Sequence, residues 1–124
     1  AFGPVRPFVN IIEAERRHAG RVKADMDRLG ITYDRDNPYL GKIAAPSSLL
    51  AACEQGAEAE IENIALYDRL LPTIEDATVL ATLTALQRAS REQHLPAFER
   101  CVARGGEMGP GQGRGQGRGR GRSQ

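Results

Sequence analysis

The sequence predicts an all-α bundle, and three observations support that reading. Apolar side chains recur at the 3–4 spacing of a helix face in three separate stretches. Proline or glycine stands at the ends of those stretches, where helices start and stop. No run alternates convincingly with the two-residue period that a strand requires.

The first helix is expected from about Pro7 to Leu29. Pro7 suits a first turn, where its missing N–H costs nothing, and Gly30 suits the stop. Residues 30–46 form a 17-residue connection rich in Asp, Asn, Pro and Gly, with Tyr33, Tyr39 and Leu40 available to pin it to the bundle. The second helix begins near Pro46-Ser47-Ser48 and runs to Leu71, stopped by Pro72. The third takes Asp76 as its N-cap and extends to about Arg104, where Gly105 and Gly106 end it. A link as short as 72–76 makes the last two helices an antiparallel hairpin. The first connection, by contrast, is long enough to run the length of the bundle.

A chain of 124 residues holds one domain at most, here residues 1–104. Gly105–Gln124 carries nine glycines and four arginines, and a segment of that composition cannot offset its ordering entropy. Residues 105–124 are therefore expected to form a disordered Gly/Arg tail. The net charge is +1; four arginines against Glu107 give the tail +3, which leaves −2 on residues 1–104. The folded part is thus no basic nucleic-acid binder, and the tail, without aromatics, would hold single strands only weakly. Two cysteines without a Cys-x-x-Cys exclude a disulfide framework and a thiolate zinc site of the usual spacing. No apolar run approaches the roughly 18 residues of a membrane span. The chain opens Ala1-Phe-Gly-Pro without an initiator Met, so sequence upstream of Ala1, a signal peptide included, is left open.

Polar residues interrupt all three apolar seams. The first reads Phe8, Ile11, Glu15, His18, Val22, Met26, Leu29, with a carboxylate and an imidazole on a face expected to be buried. The second reads Leu50, Cys53, Ala57, Glu60, Ile64, Tyr67, Leu71, with Glu58 and Glu62 turned to solvent. The third reads Leu83, Leu86, Ser90, His94, Ala97 or Phe98, and Cys101. Burying unpaired charge costs several kcal/mol or forces neutralisation. Either a hydrogen-bonded cluster or a metal ion must compensate these groups. Carboxylates with imidazole nitrogens suit iron, manganese or zinc.

Register complicates the site. Folding the second helix onto the third about residue 74 leaves Glu60 and His94 roughly 9 Å apart along the axis. The same fold separates Cys53 from Cys101 by roughly 10 Å, beyond disulfide reach, so both are expected to pack as small apolar residues. Pro96 removes the N–H that would bond the Glu92 carbonyl and should bend the third helix next to His94.

Three blocks carry a family resemblance: Arg6-Pro-Phe-Val-Asn-Ile-Ile-Glu-Ala-Glu-Arg-Arg-His18, Gly56-Ala-Glu-Ala-Glu-Ile-Glu-Asn-Ile-Ala-Leu-Tyr-Asp68, and Arg88-Ala-Ser-Arg-Glu-Gln-His-Leu-Pro-Ala-Phe98. Over about residues 2–103 the chain resembles the ferritin-like proteins grouped as "domain of unknown function 2202". The resemblance implies a four-helix bundle of which three helices are present, with the long crossover between the first two of these. It also implies a missing helix before Phe2. In metal-binding relatives a Glu comes from each of two helices and a Glu-x-x-His from each of the others. Glu15 and His18 match one Glu-x-x-His, Glu60 matches a lone Glu, and His94 matches the second His. Arg91 stands where the pattern has a Glu.

The function this implies is metal binding through Glu15, His18, Glu60 and His94. Iron is the expected metal, with manganese or zinc as alternatives, and the implied chemistry is oxidation–reduction with oxygen or peroxide. The other expectation is a non-catalytic scaffold or assembly module, favoured by Arg91. Three helices would leave an apolar groove, through which the chain is expected to form a homodimer.

Overall fold

The computed structural model describes residues 3–107. They form three helical rods, and there is no strand among the described residues. The first rod, α1, is Phe8–Leu29, and the second, α2, is Leu49–Leu70. A short 3-10 turn, Leu71–Thr73, continues α2. The third rod is composite: α3 (Ala77–Ala89), a π turn (Ser90–His94) and α4 (Leu95–Ala103).

Local chemistry sets the ends. Gly30 takes the left-handed conformation at φ 71°, and the N–H groups of Gly30 and Ile31 close on the carbonyls of Asp27 and Met26. Ser48 Oγ accepts the Ala51 N–H at 3.0 Å, and Asp76 Oδ1 accepts the Val79 N–H at 3.0 Å. Asp76 is the N-cap the sequence predicts, and Ser48 ends the stretch Pro46-Ser47-Ser48 near which the second helix is expected to begin.

Three contacts fix the topology. Phe8, at the start of α1, lies 5.4 Å (ring centroids) from Phe98 in α4. Arg28, at the end of α1, grips Asp76 at the start of α3, with Nη2–Oδ1 at 2.9 Å and Nη1–Oδ2 at 3.3 Å. Cys53, near the start of α2, is disulfide-bonded to Cys101 in α4. Both α1 and α2 therefore run antiparallel to the composite rod and parallel to each other. Residues 30–48 must cross the length of the bundle, as the length of the connection implies.

That connection is not pinned as expected. Tyr33 does anchor, its hydroxyl donating to Asp27 Oδ1 at 3.3 Å. Tyr39 and Leu40, however, are 66% and 80% exposed. The segment closes on itself through Asx turns, Asp34 Oδ1 accepting the Asp36 N–H and Asn37 Oδ1 the Tyr39 N–H. These local bonds satisfy the backbone without a tertiary partner.

The core lies between α2 and α4, where Cys53, Phe98 and Cys101 are buried and Phe8, Ile11, Ala57 and Val102 pack around them. Gly56 makes room for the Phe98 ring: a Cβ there would sit 2.5 Å from ring Cε1. Gly106, at φ 82°, closes the other end against the Leu50 backbone. No described helix is long and apolar enough to cross a membrane.

Candidate metal centre

The register expected from the sequence is wrong, and its correction builds the site. Glu60 Oε1 lies 3.3 Å from His94 Nδ1, in place of the expected 9 Å axial gap. Cys53 and Cys101, expected as free packing residues, have Cα atoms 6.1 Å apart and are bonded. Both pairs place the hairpin axis near Ala77, not residue 74. The reason is the turn: Leu71–Thr73 prolongs α2, and extended Ile74 and Asp76 carry the chain onward before α3 starts. The first residues of α3 thus lie beyond the end of α2, where Asp76 meets Arg28 of α1.

The π turn completes the alignment. Leu86, Ser90, His94 and Phe98 are spaced by four, which drifts about 40° per step around a regular α-helix. The wider turn absorbs that drift, and all four are buried or nearly so. The Leu95 N–H bonds Ser90 O, five residues back, and Pro96, which has no N–H to place, stands in the first turn of α4 directly afterwards. The expected disturbance at Pro96 is thus a π turn ending on His94.

Three of the four residues expected at the site converge. Donor atoms of Glu15, Glu60 and His94, one from each rod, lie within 4.8 Å of one another, a group that could hold a metal ion. His94 Nδ1 is 3.1 Å from Glu15 Oε1. His18 stands at the rim: its Nδ1 is 3.5 Å from Glu15 Oε2, and its ring centre is 5.8 Å from that of His94. The Glu15 side chain, expected to be buried, is 50% exposed, while those of Glu60 and His94 are 9% and 4% exposed. The buried stripe of α1 centres on Ala14, Ile11 and His18, which turns Glu15 toward an open groove shared with Glu60, Ala59, Asn63 and Leu66.

The donors are unsatisfied. Four shielded side-chain polar atoms lack a hydrogen-bond partner among the described residues, and three of them are Glu60 Oε2, His94 Nδ1 and His94 Nε2. The carboxylates approach Nδ1 without hydrogen-bond geometry. A buried polar atom left unpaired costs about 1–3 kcal/mol, so Glu60 Oε2 and one imidazole nitrogen of His94 call for a ligand, the ring's other nitrogen pointing away from it. That is the fit a cation bound by carboxylates and imidazole would supply.

The surroundings are better satisfied. Asn63 Nδ2 donates to Ser90 Oγ at 3.2 Å, one turn beyond Glu60 and one turn before His94. Gln87, buried and not anticipated, donates to Ile64 O at 3.0 Å and Asp68 Oδ1 at 2.8 Å. Its position one turn before Ser90 on the inner face was the available signal. Burial, followed by the negative charge of Glu15, raises the Tyr67 phenol above its ordinary value. Arg91 is on the surface beside Asp68, 3.8 Å away, and contributes nothing inward.

Compared with known proteins, the chain matches no protein-family model, no curated protein and no solved structure.

Proposed function

We propose that this chain is a metal-binding protein of ferritin-like build, holding iron through Glu15, Glu60 and His94 with His18 at the rim. The observation that carries the reading is the buried Glu60–His94 pair, with unpartnered polar atoms on both residues and His94 Nδ1 3.1 Å from a carboxylate of a third rod. Carboxylate oxygens and imidazole nitrogens suit iron, manganese and zinc alike, and the family resemblance favours iron. Bound there, iron would supply oxidation–reduction chemistry with oxygen or peroxide. The chain's own residues divide that work. His94 offers its donor from the dry side, whereas half-exposed Glu15 and the more deeply set Glu60 border the groove through which small molecules would enter.

Metal analysis of protein expressed with iron, manganese and zinc available tests the proposal. Near-stoichiometric metal is expected, lost in Glu60→Ala and in Glu15→Ala/His18→Ala. Sub-stoichiometric metal that the substitutions leave unchanged would overturn it. A scaffold without redox chemistry is the second reading, and Arg91 favours it. That residue leaves the site one carboxylate short of the paired-metal pattern, and its side chain lies outside. Bound iron that turns over neither oxygen nor peroxide would select that reading. A homodimer belongs to the same proposal: Leu66, 40% exposed, borders the open groove. Sedimentation equilibrium is the check.

A further inference from the structure

We infer that the Cys53–Cys101 disulfide is a register clamp for the metal centre, so that the site is formed in the oxidised chain and loosened in the reduced one. The inference rests on the metal-binding reading above. Cys53 and Glu60 are seven residues apart on α2, and His94 and Cys101 are seven apart on the composite rod. Seven residues are two turns, which return to the same helix face about 10 Å further along. The disulfide and the Glu60–His94 pair are therefore two rungs between the same two elements, and Phe98 over Gly56 is a rung between them.

The clamp matters because α4 is a short arm. It has nine residues, follows a π turn and carries Pro96 in its first turn, so regular α-helical hydrogen bonding does not run unbroken from α3 into it. His94 is the residue at that joint. Apart from the disulfide, the arm is held by apolar packing, Phe98 over Gly56 and against Phe8 with Ala57 and Val102 beside it, and by Gly106 against Leu50, contacts that bond no donor to an acceptor and leave the axial offset to the disulfide. One residue of slip along the axis moves a donor by about 1.5 Å and turns it by about 100°. Either displacement separates His94 from Glu60. Both sulfurs are buried, Cys53 fully, so reduction requires α4 to open.

The redox step balances with a dithiol as reductant. The Cys53–Cys101 S–S bond breaks, each sulfur takes a proton from the dithiol, and the dithiol closes to its own cyclic disulfide. Two electrons pass from reagent to protein.

Cobalt(II) is the probe, added to the oxidised chain, to the chain reduced with dithiothreitol and freed of reagent without air, and to Cys53→Ala/Cys101→Ala. The oxidised chain is expected to bind cobalt with visible d–d absorption and no thiolate charge-transfer band. The reduced chain and the double variant are expected to bind roughly tenfold or more weakly, under cold conditions where far-ultraviolet circular dichroism shows equal helix. The double variant removes thiols that could themselves take the metal. Equal affinity in all three forms overturns the clamp. If the oxidised chain binds no cobalt, the metal reading fails, and amide hydrogen exchange across Leu95–Ala103 then judges the clamp alone. Faster exchange there on reduction supports it, and unchanged exchange overturns it. Should the alanine variant unfold, Cys53→Val/Cys101→Val, which refills the space beside Phe98, carries the same comparison.

Discussion

Two rungs join the same pair of helical elements, and they differ in kind. At one, Cys53 and Cys101 are bonded and sit in the apolar core beside Phe98. At the other, two turns away on the same faces, Glu60 and His94 are almost as deeply buried but leave three polar atoms without partners. The first rung stabilises the fold. The second opposes it, and nothing in packing calls for a carboxylate and an imidazole there. A group that costs stability at a position where an apolar residue would fit points to a ligand.

Breaking the first rung should have the largest effect. Closing a loop of this size restricts the unfolded chain enough to contribute about 4 kcal/mol in the chain-entropy model. Cys53→Ala/Cys101→Ala is expected to lower the free energy of unfolding by about that much, measured by urea denaturation. The rung between comes next. Gly56→Ala gains about 1 kcal/mol in helix propensity but drives a methyl into a buried ring. Overpacking of that kind costs about 1–3 kcal/mol, so a net loss of up to about 2 kcal/mol is expected in the same assay.

The second rung should respond in the opposite direction. Glu60→Met keeps the volume and removes an unsatisfied carboxylate. It is expected to raise metal-free stability by about 1–2 kcal/mol while abolishing metal uptake. A loss of stability from this substitution would mean that Glu60 is structural. The smallest effect lies far from both rungs. The Arg28 guanidinium, helped by the Val79 N–H, holds the Asp76 carboxyl below its ordinary value. A depressed carboxyl contributes stability that is present above its unfolded-state value and is lost as pH falls through the folded one. Arg28→Met should flatten that acid limb in a pH series of thermal melts, leaving the neutral-pH melting temperature only slightly lower.

Much of the fold was legible in the residues. Asp76 caps α3, Gly30 closes α1, α2 starts beside Pro46-Ser47-Ser48, and the seams through Glu60 and His94 face inward. These features depend on bonds within a few residues, which local chemistry decides. The residues Glu15, Glu60 and His94 were legible as candidates for the same reason, since a polar residue in an apolar stripe is visible in one dimension.

Axial register was not. It depends on how far a six-residue turn carries the chain, on a π turn that no periodicity announces, and on contacts between residues tens of positions apart. An error of three residues in the pivot hid the disulfide and separated Glu60 from His94. The exposure of Glu15 escaped as well, because the tilt of α1 about its own axis is set by Phe8 against Phe98 and Arg28 against Asp76. The sequence by itself determined three helices, their caps and the polar residues on their inner faces, through interactions of short range. Only the tertiary structure decided which of those residues meet. Helices pack as rigid rods, and their offset is fixed by the turns and cross-links between them.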